Sequence, residues 1–212
     1  MQKALFSVIL ASALFSSAAV AQAPAVLKSN TSGLFFGLNS SGSAITADEL
    51  SHGRESGAGL AAQIGFGFTP KLALYAEAAG ARMRSDDGNY GLGHFDVGAR
   101  YHFANTKRAL VPYLQAAFSA RAASRDDVVF DDGEGGTTTG KLQVSGTGFT
   151  LGGGLQFFFT PKVALNTSLG WTLGEFSKVT FENVSVDGFD VDATTTRLNL
   201  GLSWFPMLSR AK

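Results

Sequence analysis

Cysteine is absent from the 212-residue sequence. That excludes disulfide staples, thiolate nucleophiles, thiol-bound metals and a lipid attached through a cysteine. Histidine is scarce, with three residues in all, His52, His94 and His102. No HExxH, GxSxG or phosphate-loop pattern is present. Lys plus Arg equal Asp plus Glu at 17 each, so no basic excess points to nucleic acid. Proline is limited to five residues. Beyond the N-terminal region no stretch approaches the ~20 consecutive apolar residues of a spanning helix. A chain of this kind is either soluble outside the cytoplasm or crosses a membrane as strands.

The N-terminal region reads as a signal peptide spanning residues 1–21. Lys3 and the free amino group make a positive start, and Ala4 to Val20 carry no charge. Ala19-Val20-Ala21 fits the small-x-small cleavage rule. Ala21-Gln22-Ala23 also fits the rule, but it sets Pro24 just past the cut, where a proline suits a peptidase poorly. Cleavage after Ala21 leaves 191 residues of the 212, the length of one domain over 22–212.

Glycine (26) and phenylalanine (18) are abundant, and apolar residues recur with a period of two. From Arg197 to Phe205 the even positions are Leu198, Leu200, Leu202 and Trp204. Arg197, Asn199, Gly201 and Ser203 lie between them. Successive strand side chains point to opposite faces, so one face here suits lipid and the other a crowded polar interior. The same split recurs in Leu60–Phe68, Phe95–Phe103, Phe149–Phe159 and Val163–Leu173. Eight such segments are expected, at 32–42, 57–68, 71–84, 90–104, 110–122, 145–159, 162–176 and 194–205. Each has the ~10 residues or slightly more that a tilted strand needs to cross a bilayer. An even number lets an antiparallel sheet close and leave no edge. The fold class is therefore all-β, a closed antiparallel transmembrane barrel.

Connections alternate in length. Thr69-Pro70, Asn105–Ala109 and Thr160-Pro161 are short, 85–89 is a tight turn, and 43–56, 123–144 and 177–193 read as long loops. Of the 17 acidic residues, 14 fall in or beside the long-loop side, from Asp48 and Glu49 to Asp190 and Asp192. The short turns carry Lys71, Lys107, Arg108 and Lys162. Carboxylates in 126–134 and 187–192 suit a divalent cation, but no EF-hand spacing is present, and solvation of the loops is sufficient reason for them. No metal or cofactor is expected. One internal echo stands out: Phe66-Gly-Phe-Thr-Pro-Lys-Leu-Ala-Leu74 matches Phe157-Phe-Phe-Thr-Pro-Lys-Val-Ala-Leu165. Both set aromatics beside a short turn, where an interfacial girdle belongs.

These hairpins resemble those of the outer-membrane protein β-barrel domain family, the small OmpA- and OmpX-like barrels. Val111-Pro-Tyr-Leu-Gln-Ala-Ala117 and the closing strand Asn199-Leu-Gly-Leu-Ser-Trp-Phe205 are similar to that family as well. The resemblance covers the mature chain. It implies an outer-membrane location, contact with outer-membrane lipid, and handling by the barrel-assembly machinery through the aromatic closing strand. Pro206 to Lys212 follow those aromatics, a departure from an aromatic C-terminal residue.

By parity Glu77, Asp96, Arg100, Arg121 and Arg197 face the lumen, with Tyr75, Gln63, Gln115, Asn166 and Asn199. An eight-stranded barrel is wide enough only for its own side chains, and charges taken from water must pair. An interior ion-pair network is expected, centred on Glu77 and Asp96 with Arg100 and Arg197, either filling the barrel or gating a narrow path. Barrel enzymes need a serine, a histidine and an acidic or amide partner. His94 with Asp96 is a fragment of that set with no convincing serine, and His102 lies roughly 26 Å along the strand from His94, so no enzyme is expected. Two function classes remain. One is a structural or surface-interaction barrel whose long acidic loops meet an external ligand or host partner. The other is a narrow pore or conduit for ions or small apolar molecules. A soluble lipocalin-like barrel would need its aromatic face inside.

Overall fold

The computed structural model describes residues 29–47, 54–85, 88–103, 108–131, 137–181 and 184–206. The expected signal peptide and the tail after Pro206 lie outside the described residues. Eight antiparallel strands, each hydrogen-bonded to its sequence neighbours, close into a barrel. They are β1 (Gly33–Ala47), β2 (Glu55–Gly67), β3 (Leu72–Arg84), β4 (Tyr90–His102), β5 (Leu110–Asp131), β6 (Thr137–Thr160), β7 (Val163–Phe181) and β8 (Val184–Trp204). β1 and β8 pair from Phe36↔Trp204 to Ala47↔Ala193, which seals the ring.

The expected two-faced pattern is present along the barrel wall. Leu198, Leu200, Leu202 and Trp204 are exposed on the outer face, while Thr195, Arg197, Asn199 and Ser203 are buried inside. The outer wall is apolar on every strand, with Phe118 as its most exposed large residue at 77%. Such a surface is stable against hydrocarbon and not against water. The burial is thus inverted relative to a soluble barrel.

The two Thr-Pro-Lys turns share one local cause. Thr69 Oγ1 accepts hydrogen bonds from the Lys71 and Leu72 amides, at 3.1 and 3.0 Å. Thr160 Oγ1 accepts from the Lys162 and Val163 amides at 3.2 and 3.1 Å. Proline fixes φ and supplies no donor to the turn, so the threonine oxygen takes the amides that would otherwise be orphaned. Above these turns the aromatic pairs Phe66–Phe68 and Phe157–Phe159 meet edge-on at 5.2 and 5.3 Å, with Tyr101–Phe103 also at 5.3 Å. Together they make an outward aromatic band at the short-turn end.

The other end corrects the expected loops. Strands β1–β4 have 13 to 15 residues, whereas β5–β8 have 19 to 24. Most of 123–144 and 177–193 is not loop but paired strand: Val128↔Gly140 to Asp131↔Thr137, and Lys178↔Asp187 to Phe181↔Val184. β1 and β2 likewise extend into the region read as a loop over 43–56, leaving 48–54 between them. The apolar alternation fades there because neither face meets lipid, while the backbone pairing continues. Register shifts between Arg125 and Val128 and between Phe176 and Lys178 also break the parity that sequence reading depends on. The expected 85–89 turn keeps its place, with Gly88 at φ 112°, a value that favours glycine.

Candidate functional site

The lumen is stacked in three layers. At the short-turn end, Phe35, Tyr75, Val111, Phe158 and Phe205 form an apolar plug with Ala73 and Ala164. Phe205 packs against Phe35 and Phe158 with tilted rings, 5.5 and 5.4 Å between centroids. At the other end Ile45, Met83, Leu92, Phe176, Val191 and Ala193 close the tube. A polar middle lies between them.

Arg197 on β8 is the hub of that middle layer. Its guanidinium donates to Glu77 Oε1 at 3.2 Å and makes a close ion pair with Asp96. Glu77 and Asp96 are directly opposed across β3 and β4, so two like charges would face each other without this cation. Asn199 Nδ2 adds a donor to Glu77 at 3.4 Å. The three charged side chains are only 2–5% exposed. Register explains their meeting: β8 reaches across the narrow tube to strands it does not pair with.

Arg100 differs from expectation. It makes no ion pair among the described residues. Its guanidinium donates to Gln63 Oε1 and Gln115 Oε1, each at 3.0 Å. It also lies over the rings of Tyr113, Tyr75 and Phe35, at 4.3, 5.0 and 5.7 Å. Aromatic faces and amide oxygens thus take the role assigned to the carboxylates, because Arg197 lies closer to both acids. Arg121 stands apart as well. It donates to the Ala193 carbonyl at 3.0 Å and to Thr195 Oγ1 at 3.2 Å, with the Phe176 ring 5.0 Å away. So of the five charged residues expected to form one network, three form it, and two arginines brace the layers on either side.

Further polar links span the wall. Tyr113 Oη donates to Asn166 Oδ1 at 2.9 Å, and Asn166 Nδ2 reaches Asn39 Oδ1 at 3.4 Å. Ser119, Thr150 and Thr172 hydroxyls chain at 2.5 and 2.7 Å. Sequence reading did not single out Tyr113, Phe35 or Phe158 as lumen fillers. The inward parity of strand positions that flank Gln115, Gly37 and Gln156 was the available signal. His94 and His102 both face the lumen and are buried. His102 packs on Tyr113 at 5.8 Å between ring centres. Among the described residues no three His, Asp or Glu side chains gather as a metal site. Much of the acidic 126–134 and 187–192 stretches has side chains outside the described residues.

The model for the outer membrane protein beta-barrel domain matches residues 7–204. The chain belongs to that family. It is an outer-membrane protein; barrels of this kind keep short turns on the periplasmic side and longer hairpins outside. A search of the curated proteins finds no match. Among solved structures, Neisserial surface protein A is similar at 18% identity, with a TM-score of 0.57 over 82% of this chain and 97% of that one. OprG from Pseudomonas aeruginosa has 13% identity and a TM-score of 0.56, covering 84% and 98%. Ail, the attachment invasion locus protein of Yersinia pestis, has 14% identity and a TM-score of 0.50, covering 82% and 99%. At these identities the likeness is one of fold.

Proposed function

We propose that the barrel is a closed anchor and that its work is done by the sheet it raises above the membrane. The observation that carries this reading is the asymmetry of strand length. β5 runs from its last β4 partner, Ser124, to Asp131, and β8 from Val184 to its first β1 partner, Ala193. At about 3.3 Å per residue these extensions rise some 20–30 Å along the strands. They carry the exposed Asp126, Asp190 and Asp192, an acidic surface suited to a basic partner outside the cell. The plugged lumen fits an anchor, since both ends are filled by apolar side chains. Assembly through the barrel-assembly machinery and the absence of a catalytic role belong to the same reading.

A second reading is a gated narrow path for ions. It is favoured by the polar middle layer, where Arg100 Nη1, Asn199 Oδ1 and both His94 nitrogens have no protein partner. Water is the partner that suits such atoms. Planar-bilayer recording separates the two. An anchor gives no conductance steps in the parent or in Arg197→Ala. Steps that appear or enlarge in Arg197→Ala would refute the closed anchor and establish the gate.

A further inference from the structure

The lipid-facing row of β3 carries Leu72, Leu74, Ala76, Ala78 and Gly80, and then Arg82 and Arg84. Both arginines point outward from the wall and are exposed. From Leu72 to Arg82 is ten residues, about 33 Å of strand. With a tilt near 40°, this rises about 25 Å, the height of the apolar band of such a barrel. Arg82 therefore sits where the outer-leaflet hydrocarbon ends and the headgroups begin.

The neighbours leave room there. Arg82 pairs across the strands with Ala58 and Gly91, and Arg84 with Ser56. Small side chains beside two long ones make a recess of about 420 Å³ lined by Ser56, Gly57, Ala58, Arg82, Arg84 and Asn89. Among the described residues neither arginine has a carboxylate partner. Half the ring away, Glu175 and Asp192 are cross-strand partners on β7 and β8 and are also exposed. At the level of these two pairs the wall is thus basic on β3 and acidic on β7 and β8.

We infer that Arg82 and Arg84 form a binding site for the phosphate of an outer-leaflet glycolipid. A forked guanidinium matches phosphate oxygens in geometry and charge. The smooth Ala78–Gly80 wall directly below leaves space for the acyl chains, so a lipid fits this recess better than a free anion.

The test uses the full chain purified in a zwitterionic detergent. Its affinity for lipid A is measured by native mass spectrometry, with and without prior phosphatase treatment of the lipid. Three proteins are compared: the parent, Arg82→Gln/Arg84→Gln and the control Glu175→Gln/Asp192→Asn. The parent should hold phosphorylated lipid A about tenfold or more tighter than the arginine variant, the scale of losing charge-assisted hydrogen bonds. Phosphatase treatment should erase that difference, and the control should bind as the parent does. Equal affinity of parent and arginine variant, an equal loss in the control, or indifference of the parent to phosphatase would each overturn the site. If the arginine variant lacks the boiled-versus-unboiled gel shift of a folded barrel, the parent's response to phosphatase decides alone.

Discussion

Replacing Arg197 by methionine keeps much of the side-chain volume in the lumen and removes the only cation that, among the described residues, pairs with Glu77 and Asp96. At 3.2 Å from Glu77, and with an effective dielectric near 20, one such pair is worth roughly 5 kcal/mol of Coulomb energy. All three groups are almost fully shielded, so no large discount for solvent screening applies. Part of the loss is returned as the arginine's own desolvation is relieved. Removal of one partner from a buried pair accordingly costs about 3–5 kcal/mol. Asp96 should suffer more than Glu77, since its Oδ1 has no protein partner while Glu77 keeps the Asn199 amide. The assay is reversible guanidinium unfolding in lipid vesicles, followed by the fluorescence of Trp171 and Trp204, both on the lipid face. Arg197→Met should lose about 3–5 kcal/mol with an unchanged slope. Adding Glu77→Gln and Asp96→Asn should restore most of it, because no uncompensated charge is then left inside. A single variant within about 1 kcal/mol of the parent would refute the reasoning, showing that the lumen solvates carboxylates as water does.

Phe205→Ala should cost about 3–5 kcal/mol in the same unfolding assay, since the ring bridges Phe35 and Phe158 in the lower plug. Gly59→Ala should cost about 1–3 kcal/mol, because a Cβ there would stand 1.8 Å from the Gly80 carbonyl oxygen. Gly80→Ala meets nothing within 4 Å and should stay within about 0.5 kcal/mol of the parent. Trypsin added to intact cells should cut at Lys141, which is exposed on the outer hairpin with a side chain 57% accessible, and spare Lys71 and Lys162 in the periplasmic turns. Peptide mapping by mass spectrometry reads this directly, and cleavage at the two turn lysines alone would invert the orientation.

Much of the wall was legible because a membrane barrel repeats one local rule. Lipid on one side and a crowded lumen on the other force apolar and polar residues to alternate, as in Leu198 to Trp204. The Thr-Pro-Lys turns were legible because their threonine bonds act over two and three residues. The strand extensions were not. In 126–131, 137–140, 178–181 and 184–193 both faces leave the bilayer, the alternation loses its cause, and register shifts reverse the parity. Pairing there depends on a partner strand that local pattern cannot reveal.

The lumen divides in the same way. Parity alone placed Glu77, Asp96, Arg100, Arg121 and Arg197 inside, since facing is a property of the strand a residue belongs to. Which charges meet is a property of the closed ring. Barrel stagger brings Arg197 of β8 across to Glu77 and Asp96 of β3 and β4, and sets Arg100 among Gln63, Gln115 and three aromatic rings. The sequence by itself determined the all-β barrel, its two faces and the direction of each charged side chain. Only the tertiary structure decided the partners and the raised sheet, because both depend on register between strands more than 100 residues apart or on pairing beyond the bilayer.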